Sequence, residues 1–405
     1  MSTVYIHWPF CLSKCHYCDF VSIPCTGNED FAEWGKLYKN VLLSYMDGFG
    51  LRDVSITSIY FGGGTPSLVP QWFIDNLLNT VQKHCKLVED VEITLEANPR
   101  TIDSGKARDL RDIGVNRLSI GVQSIIDEDL QMLGRIHSAN DAISCVLDMT
   151  EVFSNVSIDM IYNRPHQTVA SWQEELRTVL QLPVNHVSLY ELIIEDGTKL
   201  KHLIDSNMLP SISDSSEFFE NTITIAEECG FELYEVSNFA KMNDYSQRPD
   251  GAIFRTHPGG NPNYGKHNLS YWRYEDYYGI GPGSHSRISF NKKPEKLMSE
   301  KIAIAQIEDV QAWREWALTP RFDVETLSKD DEFKERTIMG LRAMCGICPA
   351  TFDKVTKIKY GLQNKLAKLE ENSYIMANAD GVVLTYAGIL RLNLIVRYLT
   401  EEFSI

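Results

Sequence analysis

The feature that most constrains this chain is an alternation running through its first 240 residues. Short apolar runs recur, and each is followed by a segment with helical spacing. The runs are Val4-Tyr5-Ile6, Ser58-Ile59-Tyr60-Phe61, Val91-Glu92-Ile93-Thr94-Leu95, Arg117-Leu118-Ser119-Ile120, Val156-Ser157-Ile158 and His186-Val187-Ser188-Leu189. Between them, Asn28 is placed to cap a helix carrying Phe31, Trp34, Leu37, Val41 and Leu42. Pro70 opens one carrying Phe73, Leu77, Leu78 and Val81, and Gly114 stops one that starts near Asp103. Strands alternating with helices pair in parallel through right-handed crossovers, which predicts an α/β fold of six units.

Periodicity does not choose between an open sheet and a curled one, but the polar residues do. A cysteine loop follows the first run and Gly62-Gly63-Gly64-Thr65 follows the second. Glu96, Gln123, Asp159 and Tyr190-Glu191 stand at or just after the ends of the others. Along a flat sheet these groups would spread over roughly 25 Å at about 4.8 Å per strand, too far for one small ligand. Curling gathers them at the carboxyl ends, where parallel barrels carry their chemistry.

The cysteine loop is Cys11-Leu12-Ser13-Lys14-Cys15-His16-Tyr17-Cys18. Three thiols on so short a loop suit three corners of a [4Fe–4S] cube, and no fourth cysteine follows at the usual distance. One iron would stay open for another ligand. A zinc knuckle is the rival, but zinc favours paired C-x2-C units or added histidines.

This C-x3-C-x2-C loop after a strand resembles the signature of the radical S-adenosylmethionine (SAM) superfamily. Tyr5-Ile6-His7-Trp8-Pro9-Phe10-Cys11 and Cys15-His16-Tyr17-Cys18-Asp19-Phe20 are similar to the oxygen-independent coproporphyrinogen III oxidase-like branch. Phe20 resembles its heme chaperone HemW group, because the decarboxylating oxidase has a further cysteine there. The resemblance runs nearly end to end and implies an incomplete (β/α)6 barrel. It implies that Cys11, Cys15 and Cys18 hold the cluster and that SAM completes the open iron. It also implies SAM contacts from Gly63, Gly64 and Thr65, from Glu96, Gln123, Arg135 and Asp159, and from Tyr5 and Tyr17 beside the cysteines. His267-Asn268-x-x-Tyr271-Trp272 resembles the group's heme-associated motif, with His267 the expected heme ligand. Arg135 has the weakest support from the residues themselves, since an arginine in Leu133-Gly134-Arg135 is by default a surface residue.

Two departures from the family stand out. Asn163-Arg164-Pro165-His166-Gln167 replaces a Gly-Leu-Pro-Gly-Gln turn and loses both glycines. Cys345-Gly346-Ile347-Cys348 is a C-x2-C pair with no partner pair, to which no metal is assigned.

The expected organisation is a barrel over 1–240, a connecting segment over 241–300 and a C-terminal domain over 301–405. The connecting segment carries the motif and an insertion at 241–266, within which His257 could substitute for His267. The last domain is expected to be mainly helical from Lys301, with a last helix from Ala387, and to resemble a winged helix. Net charge is −16, against general nucleic-acid binding. No apolar run is long enough for a spanning helix, no secretory signal is visible, and nine cysteines fit a reducing cytoplasm. The function this implies is a heme chaperone that passes heme to an acceptor protein and takes electrons for its cluster from a donor. Its oligomeric state, monomer or homodimer, is left open. The alternative is an oxygen-independent coproporphyrinogen III dehydrogenase of porphyrin biosynthesis. Phe20 and the ten residues before Cys11, short of the oxidase's leading segment, weigh against it.

Overall fold

The computed structural model describes residues 1–206, 216–242, 261–290, 300–349, 352–377 and 381–401. The alternation becomes six parallel strands: β1 (Ser2–Trp8), β2 (Ser55–Gly63), β3 (Lys86–Ala97), β4 (Arg117–Gln123), β5 (Val156–Tyr162) and β6 (His186–Glu191). Each pairs with the next in parallel register. The crossovers carry α1 (Phe31–Gly48), α2 (Gln71–His84), α3 (Ser104–Asp112), α4 (Asp127–Met132), α5 (Ala139–Thr150) and α6 (Val169–Val179). Each of the longer ones turns its apolar face to the sheet, as Leu37, Val41 and Leu42 do from α1 and Phe73, Leu77 and Val81 from α2. The α1 cap is Asp30, which accepts from the Ala32 and Glu33 amides, and not Asn28. Asn28 lies in a turn in which the Thr26 and Gly27 amides bond Glu29, so the helix starts later than its first polar candidate.

The sheet does not close on itself. Beyond β6 it continues antiparallel through β8 (Asn238–Lys241) to β7 (Phe231–Glu235). Beyond β1 it continues through β9 (Asp276–Ile280), parallel to β1, then β10 (His285–Phe290), β11 (Glu300–Ala305) and β12 (Glu325–Thr326), all antiparallel. Among the described residues the barrel is therefore incomplete, with twelve strands in one curled sheet. The run from Lys301 is a strand before it is helical. Ile302 and Ile304 alternate with Lys301 and Ala303 at the period of a strand, and Ile304 faces Ser286 across the ladder. Helix begins at Val310.

From residue 329 the chain is mainly helical: Lys329–Gly340, Lys354–Lys359 and Leu362–Glu371, a hairpin of Ile375–Ala377 with Val382–Leu384, then Leu392–Thr400. That order agrees with the mainly helical C-terminal part expected. The last helix starts at Leu392, after a separate turn of helix at Tyr386–Ile389. The Val236 amide donates to the Arg342 carbonyl at 2.8 Å and the Met344 amide to the Tyr234 carbonyl at 3.0 Å, which ties this part to the sheet edge. No helix among the described residues is long and apolar enough to cross a membrane.

The motif His267-Asn268-x-x-Tyr271-Trp272 forms α7 (Lys266–Trp272) under the amino ends of the strands. The buried Glu92 carboxylate accepts from the Lys266 and His267 amides at 3.0 and 3.1 Å. Those amides have no partner within their own helix, so Glu92 both satisfies them and places negative charge where the helix dipole favours it. His257 lies outside the described residues.

Candidate functional site

A cavity of about 430 Å³ opens at the carboxyl ends of β1–β6 and runs down toward α7. On β4 and β5 the residues lining it alternate along the chain, Arg117, Ser119, Gly121 and Gln123 on the first and Asp159 and Ile161 on the second, and Glu92 and Glu96 on β3 and Ser188 and Tyr190 on β6 line it too. Period-two alternation puts one set inside the curl and the apolar set against the helices. Cys11, Cys15, Tyr17, Cys18, Gly63, Gly64, Thr65, Glu96, Gln123, Arg135, Asp159 and His267 all line it. Tyr5 does not. Its ring lies behind Tyr60 at 6.1 Å, and its hydroxyl sits 3.0 Å from His7 Nδ1.

The cysteine loop is rooted in aromatic packing. Trp8 at the end of β1 meets Phe10, Phe31, Trp34, Tyr38 and Phe73 at centroid distances of 5.1–6.3 Å. Backbone hydrogen bonds then return the chain alongside itself, from the Ile23 amide to the Pro9 carbonyl and from the Cys25 amide to the Cys11 carbonyl. Opposite, the His16 amide donates to the Leu133 carbonyl at 2.9 Å. Gly134, at φ +75°, lies so close that a Cβ there would meet the His16 ring at 2.6 Å. Gly64 is equally constrained, since a Cβ would fall 2.6 Å from the Phe10 carbonyl oxygen. Two loops thus press their backbones against the cysteine loop, which explains the small residues there.

The three thiols share one wall of the cavity. Cys11 Sγ faces the Ile23 carbonyl at 3.7 Å and Cys18 Sγ lies 4.0 Å from Ser22 Oγ. Among the described residues no three cysteine, histidine or acidic side chains already converge on one point. The donor chemistry nevertheless suits an iron–sulfur cluster: three thiols, no competing carboxylate or imidazole in the triplet, and the Arg135 guanidinium 3.3 Å from Cys15 Sγ to balance thiolate charge. Burial, then the neighbouring Cys15 and Cys18, push the Cys11 thiol up to about 11, so a metal is needed to ionise it at neutral pH.

The other walls are held by side-chain hydrogen bonds. Glu96 accepts from the Tyr60 hydroxyl at 2.8 Å and the Gly63 amide at 3.0 Å. Burial raises its carboxyl to about 7. Asp159 accepts from the Ser119 hydroxyl at 3.0 Å and is likewise raised by burial. Arg135 is no surface residue. It donates to the Gly121 carbonyl at 2.6 Å and to Asn98 Oδ1, and Asn98 in turn donates to Thr65 Oγ1 at 3.0 Å.

His267 lies at the cavity floor, 2% exposed. Its Nδ1 is 2.8 Å from Ser58 Oγ and its Nε2 is 2.8 Å from the Tyr271 hydroxyl. Its ring stacks on Tyr60 at 4.8 Å, and burial lowers its pKa to about 3. Tyr60, Asn98 and Ser119 were not singled out by the sequence reading. The alternation of Ser58 and Tyr60 with Ile59 and Phe61 was the available signal, because it marks an inward polar face.

Comparison with known proteins places this geometry. The family model of the radical SAM superfamily matches residues 5–179. The chain is 37% identical to "Radical S-adenosyl methionine domain-containing protein 1, mitochondrial" of Danio rerio, over 71% of this chain and 60% of that protein, so it spans less than two thirds of that relative's length. It is 30% identical to "Heme chaperone HemW" of Bacillus subtilis over 96% of both chains. Among solved structures, coproporphyrinogen III oxidase (HemN) from Escherichia coli superposes with a TM-score of 0.76 at 20% identity, covering 98% of this chain and 90% of that one, a likeness of fold. The chain belongs to the radical SAM superfamily and, within it, to the same family as the HemW proteins.

Proposed function

We propose that this protein is a cytoplasmic heme chaperone that receives heme and passes it to an acceptor protein. The reading is carried by near full-length likeness to a protein named as a heme chaperone. Membership of the superfamily implies a [4Fe–4S] cluster and SAM. Cys11, Cys15 and Cys18 would hold the cluster, and Gly63, Gly64, Thr65, Glu96, Gln123, Arg135, Asp159 and Tyr17 would surround SAM, with Tyr5 supporting from behind. When bound, the pair supplies one-electron chemistry at the SAM sulfonium, for which an electron donor is needed. The protein's own part is to orient SAM against the strand ends and to keep its carboxylates shielded.

Phe20 supports the chaperone over the decarboxylating oxidase. Its side chain is 56% exposed at the cavity mouth and offers an apolar surface where the oxidase has a thiol. His267 is the heme ligand in this reading. Iron would replace the Tyr271 hydroxyl at Nε2, while Ser58 keeps the ring oriented through Nδ1.

The test is anaerobic reconstitution followed by heme titration, with a porphyrinogen assay alongside. Expected are about one heme per chain and no conversion of coproporphyrinogen III when SAM and reductant are present. Product formation, or heme binding unchanged in His267→Ala, overturns the assignment.

A further inference from the structure

Gln123 reaches the cavity from an unusual backbone. Between Gly121 and Gln123 the register of β4 against β5 slips, and Gln123 itself is left-handed at φ +70°. A bulge re-aims the side chain beside it, here onto the cavity wall. A left-handed glutamine persists only where its surroundings hold it.

The surroundings do so at three consecutive carbonyls. Gly121 O accepts from Arg135 Nη2 at 2.6 Å, Val122 O lies 3.1 Å from His137 Nε2, and Gln123 O accepts from Arg164 Nη1 at 3.3 Å. Arg135 and His137 approach from one loop. Arg164 approaches alone from behind, out of the Asn163–Gln167 turn that lacks the family's glycines. That turn keeps left-handed residues at the same places, Asn163 at φ +58° and His166 at φ +69°. Asparagine and histidine tolerate this region better than most residues.

Arg164 is fully buried. It pairs with Glu175 at 2.5 Å and Asp129 at 2.8 Å, and donates to the Ile161 carbonyl at 2.9 Å. Glu175 on α6 also accepts from the Ser124 hydroxyl at 2.7 Å and the Ile125 amide at 3.0 Å. One guanidinium therefore holds the carbonyl of Gln123, and its carboxylate partner holds the two residues that follow. Removing either partner of such a buried pair leaves an uncompensated charge, so the two are held together.

We propose that Arg164 and Glu175 are positioning residues that clamp the β4 bulge and so fix Gln123 in its SAM-facing conformation. The proposal rests on the reading of Gln123 as a SAM contact. It assigns the leucine-to-arginine change in the turn a role: a side chain that would otherwise only pack becomes the rear fastening of the SAM wall.

The experiment is a double-mutant cycle on the cluster-loaded protein, reading the SAM dissociation constant by equilibrium dialysis. Gln123→Ala and Arg164→Lys are each expected to weaken SAM about tenfold, and the double variant no more than Gln123→Ala alone. Iron content and the SAM-free paramagnetic spectrum should match wild type in all three, because no cysteine is touched. Glu175→Gln, which keeps an acceptor for Ser124 and Ile125, provides the same comparison should Arg164→Lys fold poorly. Effects of Gln123→Ala and the clamp variant that multiply would overturn the clamp, as would clamp variants with wild-type SAM affinity. Wild-type affinity in Gln123→Ala would instead remove Gln123 as a contact and the clamp with it.

Discussion

The guanidinium of Arg135 lies 3.3 Å from the sulfur of Cys15, across 120 residues of chain. The same group bonds the Gly121 carbonyl and the Asn98 side chain. One side chain thus joins the cysteine loop, the end of β4 and the loop after β3. Truncation to alanine takes this donor from the Gly121 carbonyl and from the half-buried Asn98 amide oxygen, at about 1–3 kcal/mol each. Arg135→Ala is expected to lower unfolding stability by about 2–5 kcal/mol and to reduce iron uptake on reconstitution. Chemical denaturation and iron analysis check both, and wild-type values in both would contradict the account.

Cluster assembly should depend on three of the nine cysteines. Alanine at Cys11, Cys15 or Cys18 should abolish the broad visible absorption of reconstituted protein. Cys25→Ala should leave iron near wild type, because the Cys25 anchoring bond comes from its backbone amide. The Cys345/Cys348 double change should do the same, since neither lines the cavity. A requirement for Cys25 would point to a four-thiolate cluster with no open iron.

The legible part of this molecule is the part with short-range signals. The six parallel units, the strand-end polar residues and the cysteine loop all follow from period-two and helical patterns that each segment carries alone. Ile302 and Ile304 carried the same period-two signal, but two alternating positions beside a helical run were too few to separate strand from helix. Tyr5 matched a family position, yet the strand turns its ring behind Tyr60. The function of Arg164 was illegible because it depends on Glu175 and Asp129, which only the folded topology brings to it. Arg135 read as exposed for the same reason, since its partners come from two loops and a strand far apart in sequence.

His267 should bind heme iron only in competition with Tyr271. The two are 2.8 Å apart through Nε2, and removing the hydroxyl frees that nitrogen without disturbing the Ser58 bond at Nδ1. Tyr271→Phe is expected to tighten heme binding severalfold, on the order of one lost hydrogen bond of about 1 kcal/mol, and to keep a histidine-type Soret band. His267→Ala should lose that band and retain the cluster. A Tyr271→Phe protein that binds heme more weakly than wild type would make the tyrosine, and not the histidine, the group that meets heme.

Glu235 gives the protein a pH dependence that can be isolated from the site. It is fully buried where β7 meets the C-terminal part, and its carboxylate accepts from the Asn238 amide. Burial raises its carboxyl from 4.5 to about 8, with the Asn238 bond and the Arg342 charge opposing only in part. In the unfolded chain the group loses its proton near 4.5, whereas in the native chain it keeps it to about 8. Between these values the native state binds more protons, so its contribution to stability is fully present below pH 4.5 and is lost as pH rises toward 8. At 1.36 kcal/mol per pKa unit the loss is at most about 5 kcal/mol. Glu96 and Asp159 act in the same direction, so the wild-type curve alone does not identify Glu235. The difference between Glu235→Gln and wild type does. It should shift progressively in favour of the variant between pH 5 and pH 8.5, measured by urea denaturation of metal-free protein at fixed ionic strength. A difference that stays flat across that window would mean that Glu235 is already ionised in the native state, with Arg342 as its counter-charge.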